Sequence, residues 1–215
     1  MQLVRRLIYL GVFVAVLAAG DVGVRGFVQA MVSARAQQEA PAGSTVTATI
    51  GGFPFVPRLI FGGEVSRIGV HLENVKASVL VFSAVDLDLH GVHVDRGRLL
   101  NDRKARIMSI DHGTVTATVT AKALGDALHL PVTMFNGSIT VTALGTQIPV
   151  TPHVDAQGHL TLTGSLGRSF ALPIPTSGYV PCVGQVTVLA GRMTLSCSIN
   201  EVPPALLDAV QRGAL

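Results

Sequence analysis

The stretch Thr114-Val115-Thr116-Ala117-Thr118-Val119-Thr120 decides the fold class, because threonine alternates with a small apolar residue along its whole length. Successive side chains of a strand point to opposite faces of a sheet, so this pattern predicts a strand with one dry face and one wet face. The same alternation recurs at 45–50, 139–142 and 160–163. One-sided strands are typical of antiparallel sheets, and we therefore predict an α+β fold that is mainly antiparallel β-sheet.

A longer predicted strand begins at Val79, and its apolar residues fall mostly on odd positions as far as Leu89. After Gly91 the phase reverses, because Val92 and Val94 are now the apolar positions. A β-bulge at Gly91 explains this reversal. The bulge would bring five polar side chains to one face: Asp86, Asp88, His90, His93 and Asp95.

This polar face has two interpretations. Carboxylates and imidazoles at alternate strand positions can hold a divalent ion, which would suit a metal-dependent hydrolase that uses Asp86, Asp88, His90 and His93. The alternative is the solvent face of an amphipathic strand. We favour the solvent face and predict no metal site, because no second cluster with ligand spacing supports one.

The N-terminal residues read as a targeting or anchoring segment. Arg5 and Arg6 precede an uncharged run of 14 residues, 7–20, which Asp21 ends. A bilayer span usually needs about 20 apolar residues, so the run fits a signal peptide better than a span, although an uncleaved anchor remains open. We assign 1–20 to this segment and 21–215 to a single β-rich domain, exported in either case because the arginine pair stays inside.

Three helices are predicted. The first covers 21–39, where five apolar residues fall at helical spacing and Pro41 with Gly43 ends the pattern. We expect this helix to pack on the sheet, and its apolar residues are Val24, Phe27, Val28, Met31 and Val32. Two shorter helices are predicted at 121–128 and at 203–210.

Composition and charge exclude several classes of protein. Apolar residues make up 48% and charged residues 13% of the 215-residue chain, which is the opposite of the balance in disordered proteins. The net charge of +3 is spread along the chain and forms no nucleic-acid-binding stripe. Neither a Gly-x-Ser-x-Gly nucleophile motif nor a phosphate-binding glycine loop is present, so we predict a protein that is not an enzyme and has no cofactor.

Five cations lie close together in the stretch 96–106. They are Arg96, Arg98, Arg103, Lys104 and Arg106, opposed by Asp102. Such a stretch can meet anionic lipid headgroups, and it can equally be a solvated loop between strands. We retain it as a weak headgroup candidate.

The two cysteines, Cys182 and Cys197, flank a predicted hairpin with Ala190-Gly191 near its turn. Both fall on the apolar face of their strands, and an even count in an exported chain favours a disulfide. A two-residue turn would place the cysteines diagonally, whereas a four-residue loop would place them directly opposite. We predict the disulfide and leave the register open.

Residues 50–63 form what we call the phenylalanine segment, Ile-Gly-Gly-Phe-Pro-Phe-Val-Pro-Arg-Leu-Ile-Phe-Gly-Gly. Phe53, Phe55 and Phe61 lie between two glycine pairs, together with further apolar and proline residues. The segment is too apolar for an ordinary surface loop. It is either a buried plug at one end of the sheet or the lining of an apolar ligand cavity.

Several of these motifs together resemble the actinobacterial LmeA-type phospholipid-binding family, which is named for a link to lipomannan elongation. The most specific is Gly51-Gly52-Phe53-Pro54-Phe55, and further matches are Leu89-His90-Gly91-Val92 and Gly113-Thr114-Val115-Thr116. The resemblance covers nearly the whole chain, but Gly63-Glu64-Val65 departs from the aromatic and basic residues that relatives often carry there. It implies a non-enzymatic envelope protein with a curved, half-pipe sheet similar to tubular lipid-binding folds, wrapped on a long helix.

The residues and the resemblance together predict a phospholipid-binding protein of the cell envelope. We expect acyl chains to lie in an apolar groove that is lined or gated by Phe53, Phe55, Leu59 and Phe61, with help from Phe27 and Met31 on the first helix. The expected partners are phospholipid, a membrane surface and an envelope glycosyltransferase of lipoglycan (mannan) assembly. The alternative is a structural adaptor for such a glycosyltransferase that carries no lipid.

Overall fold

A computed structural model describes residues 2–39, 43–77, 79–101, 106–155, 159–164, 169–173 and 184–201. These residues form a long N-terminal helix, several short helices and two antiparallel β-sheets. The helices are α1 (Gln2–Glu39), α2 (Phe55–Pro57), α3 (Arg96–Asn101) and α4 (Ala121–Leu128), and a π-helical turn (Arg58–Gly62) follows α2 directly.

The larger sheet, sheet A, has seven strands in the order β1-β2-β3-β5-β12-β11, with β4 paired to β3. Its strands are β1 (Thr45–Gly51), β2 (Glu64–Ala77), β3 (Leu80–Val94), β4 (Ile107–Ser109), β5 (His112–Thr120), β11 (Gln185–Leu189) and β12 (Arg192–Ile199). The smaller sheet, sheet B, has five strands in the order β10-β9-β8-β7-β6. They are β6 (Val132–Phe135), β7 (Ser138–Ala143), β8 (Thr146–Val154), β9 (His159–Gly164) and β10 (Ser169–Pro173).

The predicted fold class is confirmed. Every strand pair in the described part of the chain is antiparallel, and the described strands leave both sheets open, as expected for a curved half-pipe. Burial alternates along β5, where Val115, Ala117 and Val119 are buried and the threonines are exposed or half-buried. We call the face of sheet A that carries these buried residues the inner face, and the opposite face the outer face.

Helix α1 covers the edge of sheet A with polar side chains. Gln37 accepts the N–H of Val46 at 2.7 Å, Ser33 accepts that of Ala48 at 2.9 Å, and Gln29 lies 3.5 Å from the nitrogen of Ile50. Gln37 also donates to the Ser44 carbonyl at 2.6 Å. Because these residues recur every four positions, one stripe of the helix satisfies the outward-pointing N–H groups of the edge strand.

Helix α1 thus lies on the sheet as predicted, but its apolar side does not face the edge strand. Of the five predicted residues, Val28 packs against the core, while Val24, Phe27, Met31 and Val32 are exposed. Phe27 is 66% exposed and Met31 is 55% exposed. The physical reason is that a free sheet edge needs hydrogen-bond partners, so the helix turns its polar stripe to β1 and leaves its apolar side outward.

The alternation of buried and exposed side chains changes phase at two places along the paired strands β2 and β3. The odd positions Val79 and Val81 are exposed, contrary to the prediction, and Leu80 and Phe82 are buried instead. Asn74, at φ 56°, lies on the partner strand where this change occurs. Leu72 pairs with Val85 and Val75 pairs with Phe82 in one unbroken register, so both strands change face together.

The second phase change, at Gly91, is the one predicted. Gly91 has φ +58°, and a Cβ placed there would fall 1.9 Å from Asp111 Oδ2. The β2–β3 register is the same on both sides, since Arg67 pairs with His90 and Val65 pairs with Val92. The register shift lies against β4, between His93 and Val94. The alternation of buried and exposed side chains therefore reverses because Gly91 adopts a positive φ. Strand β3 carries no extra residue relative to β2 at this point.

One end of sheet A is closed by helix α4 and two hairpin turns, and we call it the hairpin end. The amide of Ala121 donates to the Gly191 carbonyl at 2.9 Å, the amide of Gly191 to Met134 at 3.0 Å, and the amide of Gly137 to Val188 at 3.0 Å. Thr120 caps α4 by accepting the N–H of Ala123 at 3.1 Å. The predicted helix at 121–128 is confirmed, and the one at 203–210 lies outside the described residues.

The N-terminal segment continues into the domain as one helix, since α1 begins at Gln2 and ends at Glu39 without interruption. Among the helical residues that are described with their side chains, no stretch is long and apolar enough to span a membrane. The assignment of 1–20 as signal peptide or anchor stays a prediction.

Candidate functional site

The phenylalanine segment lies at the opposite end of sheet A, which we call the phenylalanine end. The chain leaves β1 at Gly51, forms α2 and the π-helical turn, and returns as β2 at Glu64. Gly63 ends the turn at φ 65°, and its amide donates to the Leu59 carbonyl at 3.0 Å. A Cβ at Gly63 would lie 2.8 Å from the Val94 carbonyl oxygen, so the close approach of the turn to β3 requires glycine.

The segment is divided between the core and the surface. Phe55 is 3% exposed and belongs to the core, and Leu59 is half-buried against it. Phe53, Ile60 and Phe61 are exposed, with Phe61 at 78%. Phe55 thus plugs the end of the sheet, whereas the lining of a ligand cavity by Phe53 and Phe61 stays a prediction.

Asp21 fixes helix α1 to this segment. Its carboxylate accepts the backbone N–H of Phe55 at 2.9 Å and that of Val56 at 2.6 Å, and the side chain is buried. A carboxylate at the start of a helix satisfies N–H groups that have no intrahelical partner. The sequence interpretation had treated Asp21 only as the end of the apolar run. The sequence signal for its role is that Asp21 is a single acid between two apolar stretches of one helix, which indicates a buried carboxylate with hydrogen-bond partners.

One of the predicted headgroup cations, Arg96, lies against the phenylalanine segment. Arg96 donates a hydrogen bond to the carbonyl oxygen of Phe61, and its side chain packs on Gly63. Arg98 lies 3.9 Å from Asp95, and Arg58 within the segment donates to Ser66 Oγ at 2.7 Å. The sequence analysis had treated the basic stretch and the segment as separate candidates, but the structure brings them together.

A cleft of about 390 Å³ opens between the π-helical turn and α3. Its lining residues are Ile60, Asp95, Arg96, Gly97 and Asn101. An apolar side chain, a cation, a carboxylate and an amide converge there, and this mixture suits the polar part of an amphipathic ligand. Arg106 is exposed beside it, where its carbonyl accepts the N–H of Asp95 at 2.9 Å, and Arg103 and Lys104 lie outside the described residues.

The middle of the inner face is incompletely covered. Val70 and Leu87 pair across β2 and β3, Leu87 pairs with Val115, and Val115 pairs with Cys197. Ile68, Val70, Leu87 and Cys197 are half-buried, although they lie on inner strands between fully buried neighbours. Phe27 and Met31, by contrast, lie on the outward side of α1 and do not join this surface.

The outer face carries paired charges. Arg67 donates two hydrogen bonds to the Asp88 carboxylate, at 2.7 and 2.6 Å, and His71 Nδ1 lies 2.6 Å from Asp86 Oδ1. The hydrogen bonds from Arg67 lower the pKa of Asp88, against a smaller opposing effect of partial burial. The hydrogen bond to Asp86 raises the pKa of His71.

The histidines of the predicted polar face are also partnered. His90 stacks on His112 of β5 with ring centroids 4.7 Å apart, and His93 Nε2 lies 3.1 Å from Asp111. Asp95 caps α3 by accepting the N–H of Arg98 at 3.1 Å. In the part of the chain that the structure describes, no three His, Cys, Asp or Glu residues are placed to hold a metal ion. These residues form an exposed surface of ion pairs.

The predicted disulfide falls partly outside the described residues. The hairpin has the two-residue turn Ala190-Gly191, because Leu189 pairs with Arg192. Cys197 is half-buried on the inner face, and Cys182 lies outside the described residues. The Cys182–Cys197 disulfide therefore stays a prediction.

Comparison with known proteins gives a single finding. Residues 19–214 match the family described as LmeA-like phospholipid-binding, which is nearly the whole chain. No curated protein and no solved structure matches the chain. The match begins just before Asp21, so it includes the fixed part of α1, the phenylalanine segment and both sheets. The chain therefore belongs to the LmeA-like phospholipid-binding family.

Proposed function

We propose that this protein is a non-enzymatic phospholipid-binding protein that holds acyl chains along the inner face of sheet A. The observation that carries the proposal is the half-buried apolar belt of Ile68, Val70 and Leu87 in the middle of a seven-stranded sheet. Central strands normally bury such residues fully, and a ligand would complete their burial. The family match supports a lipid as that ligand.

The energetics of this site are those of apolar burial. Each buried acyl methylene contributes about 0.8 kcal/mol, so an acyl chain can bind tightly without specific polar contacts. Phe55 and Leu59 close the phenylalanine end of the inner face, and the chains would extend from there along β2 and β3. Shape would thus select the ligand more than charge, and the affinity for cargo should depend weakly on salt.

The headgroup would lie in the cleft between the π-helical turn and α3. Arg96 is held there by its bond to the Phe61 carbonyl, and Asn101 adds an amide. A guanidinium matches the phosphate of a phospholipid, since it presents several N–H donors in one plane. Phe53 and Phe61 would gate the entrance, with Arg98 and Arg106 nearby on the exposed rim.

The proposal can be tested by filling the inner face. Leu87→Trp would occupy the space of an acyl chain, while Thr114→Trp places the same side chain at an exposed position on the neighbouring strand. The protein from Ala18 onward keeps Asp21, Gln29, Ser33 and Gln37 and is suitable for native mass spectrometry followed by solvent extraction. Thr114→Trp should retain co-purified phospholipid and Leu87→Trp should lose it, with equal circular dichroism.

Two results would contradict the proposal. If Leu87→Trp carries as much lipid as Thr114→Trp, the inner face is not the site. If the unsubstituted protein is free of lipid and does not take it up from phosphatidylinositol or phosphatidylglycerol vesicles, the adaptor for an envelope glycosyltransferase becomes the better function.

We further propose that the protein works outside the cytoplasmic membrane, in the periplasm and envelope, where it supports lipoglycan assembly or lipid handling. The support is the Arg5-Arg6 pair before an apolar run, and the family name's link to lipomannan. A periplasm-dependent reporter enzyme fused after Leu215 should be active. A fusion that is silent there, while a cytoplasmic reporter is active at the same position, would reverse this assignment.

A further inference from the structure

The phenylalanine end exposes a compact set of large apolar side chains. Phe53, Ile60 and Phe61 are all exposed, and they lie within nine consecutive residues that Asp21 and Gly63 hold in place. An exposed aromatic group on a fixed turn is an unusual use of surface, and it commonly marks a contact with a membrane or a partner. Binding of a lipid on the inner face does not by itself account for the exposure of these three side chains.

Cations surround this apolar set. Arg58, Arg96, Arg98 and Arg106 are exposed, and the acids beside them among the described residues are Asp21, Glu64 and Asp95. The hairpin end provides a comparison, because Phe135 and Leu189 are exposed there as well. Lys122 is paired there with Asp126 at 2.7 Å, and Arg192 is exposed next to the turn. The phenylalanine end differs in the number of its arginines, since four exposed arginines lie near its exposed apolar side chains.

The path of α1 adds an independent argument. The helix runs antiparallel to β1, since Gln37 meets Val46 and Asp21 meets Phe55. The part of the helix before Asp21 must therefore extend past the phenylalanine end. Its apolar run of 14 residues would reach about 21 Å beyond the fold, at 1.5 Å per residue. The most apolar stretch of the chain thus leaves the domain beside Phe53 and Phe61.

From these observations we infer that the phenylalanine end is a docking surface for an anionic lipid bilayer. Phe53, Ile60 and Phe61 enter the boundary between headgroups and acyl chains, while Arg58, Arg96, Arg98 and Arg106 contact lipid phosphates. Docking places the headgroup cleft directly at the bilayer. The inference deepens the proposed function by naming where the protein meets the membrane that supplies its lipid, and it can fail independently of cargo binding.

The chain contains no tryptophan, so single tryptophans can report on each end. The full-length protein is reconstituted into vesicles of phosphatidylglycerol and phosphatidylcholine that contain brominated lipid. Phe61→Trp and Phe53→Trp should lose most of their fluorescence and shift to shorter wavelength. Phe135→Trp is the matched control, since Phe135 is also an exposed phenylalanine but lies at the hairpin end, and its emission should not change.

Cargo lipid near Phe61 would quench as well, so its contribution must be separated. The same variants are measured after loading with brominated lipid but without vesicles, and docking is the additional loss that vesicles cause. Native mass spectrometry of the loaded protein reports cargo independently. Loss of docking with retained cargo would overturn this inference alone, and loss of cargo with retained docking would overturn the inner-face proposal alone.

Charge gives the second test. Arg58→Glu combined with Arg98→Glu should weaken the quenching of Phe61→Trp in phosphatidylglycerol vesicles, and added salt should weaken it too. Lys122→Glu at the hairpin end should leave it unchanged. Equal quenching at positions 61 and 135, or none at 61, would overturn the inference. In the second case a protein partner would be the better occupant of this surface.

Discussion

The two ends of sheet A differ in what covers their apolar residues. At the hairpin end, Leu124 of α4 is completely buried, and two backbone hydrogen bonds join the turns of the two sheets. At the phenylalanine end, Phe55 is buried in the same way, but Phe53 and Phe61 are left exposed among arginines. Both ends thus expose some phenylalanine, but the segment that closes the phenylalanine end is itself the exposed one, whereas the helix that closes the hairpin end carries its large apolar residue into the core.

Truncation at the hairpin end should have the largest effect on stability. Leu124→Ala removes a fully buried side chain and leaves a cavity under α4, and it should lower the free energy of unfolding by about 2–5 kcal/mol. Leu144→Ala, at a fully exposed turn position, is the control and should change it by less than about 0.5 kcal/mol. Urea denaturation measures both. A small effect of Leu124→Ala would mean that the hairpin end is not a closed core.

A smaller effect is expected where α1 is fixed to the phenylalanine end. Asp21→Ala leaves the N–H groups of Phe55 and Val56 without their acceptor and should cost about 1–3 kcal/mol. Asp21→Asn retains one acceptor oxygen and should cost less. Hydrogen exchange at Phe55 and Val56 should accelerate in the alanine variant, while exchange in α4 stays unchanged. Equal acceleration at both ends would show that the two ends do not unfold separately.

The outer face should add a small pH dependence. The pKa of His71 is raised by Asp86, so this pair stabilises the fold below the unfolded pKa of about 6.5, and the contribution is lost as the pH rises through the folded pKa. Asp86→Asn should therefore destabilise the protein more at about pH 5.5 than at about pH 8, by less than about 1 kcal/mol because the pair is exposed.

The control for that measurement is Asp126→Asn, which removes the partner of Lys122. Lysine keeps its charge across this range, so the effect of Asp126→Asn should be the same at both pH values. A pH-independent effect of Asp86→Asn would show that the His71–Asp86 contact does not favour the protonated histidine.

The smallest effect on stability should come from the exposed phenylalanine. Phe61→Ala removes a side chain that is mostly in solvent, and the free energy of unfolding should change by less than about 0.5 kcal/mol. A thermal or urea midpoint that drops as far as that of Leu124→Ala would mean that Phe61 is packed, and the two ends would then be alike.

The strands of this fold could be predicted from the sequence because their information is local. Alternation at Val115, Ala117 and Val119 gave the dry face of β5, and the helix after it was predicted with the bounds that α4 has. The phase reversal at Gly91 was also visible in the pattern. The earlier reversal opposite Asn74 was missed, since an asparagine at positive φ leaves no mark in the alternation of Val79 and Val81.

The candidate site could be predicted only in pieces. The phenylalanine segment and the basic stretch were both identified, but 35 residues separate Phe61 from Arg96, and their contact follows from the pairing of β2 with β3. The apolar spacing of α1 predicts the helix but not which side of it meets β1. The polar residues at every fourth position, Gln29, Ser33 and Gln37, are the signal for that side.

The polar stripe of α1 also has a consequence for self-association. Gln29, Ser33 and Gln37 take the place of a missing neighbour strand along β1. If the helix moved away, the freed amides of Val46, Ala48 and Ile50 would become a template on which a second copy could add a strand. Side chains pair with an edge only when the helix is in register, but a foreign strand can pair in several registers. The first helix therefore protects the edge strand from intermolecular pairing. We expect substitutions of Gln29, Ser33 or Gln37 to cause aggregation before they cause loss of the fold.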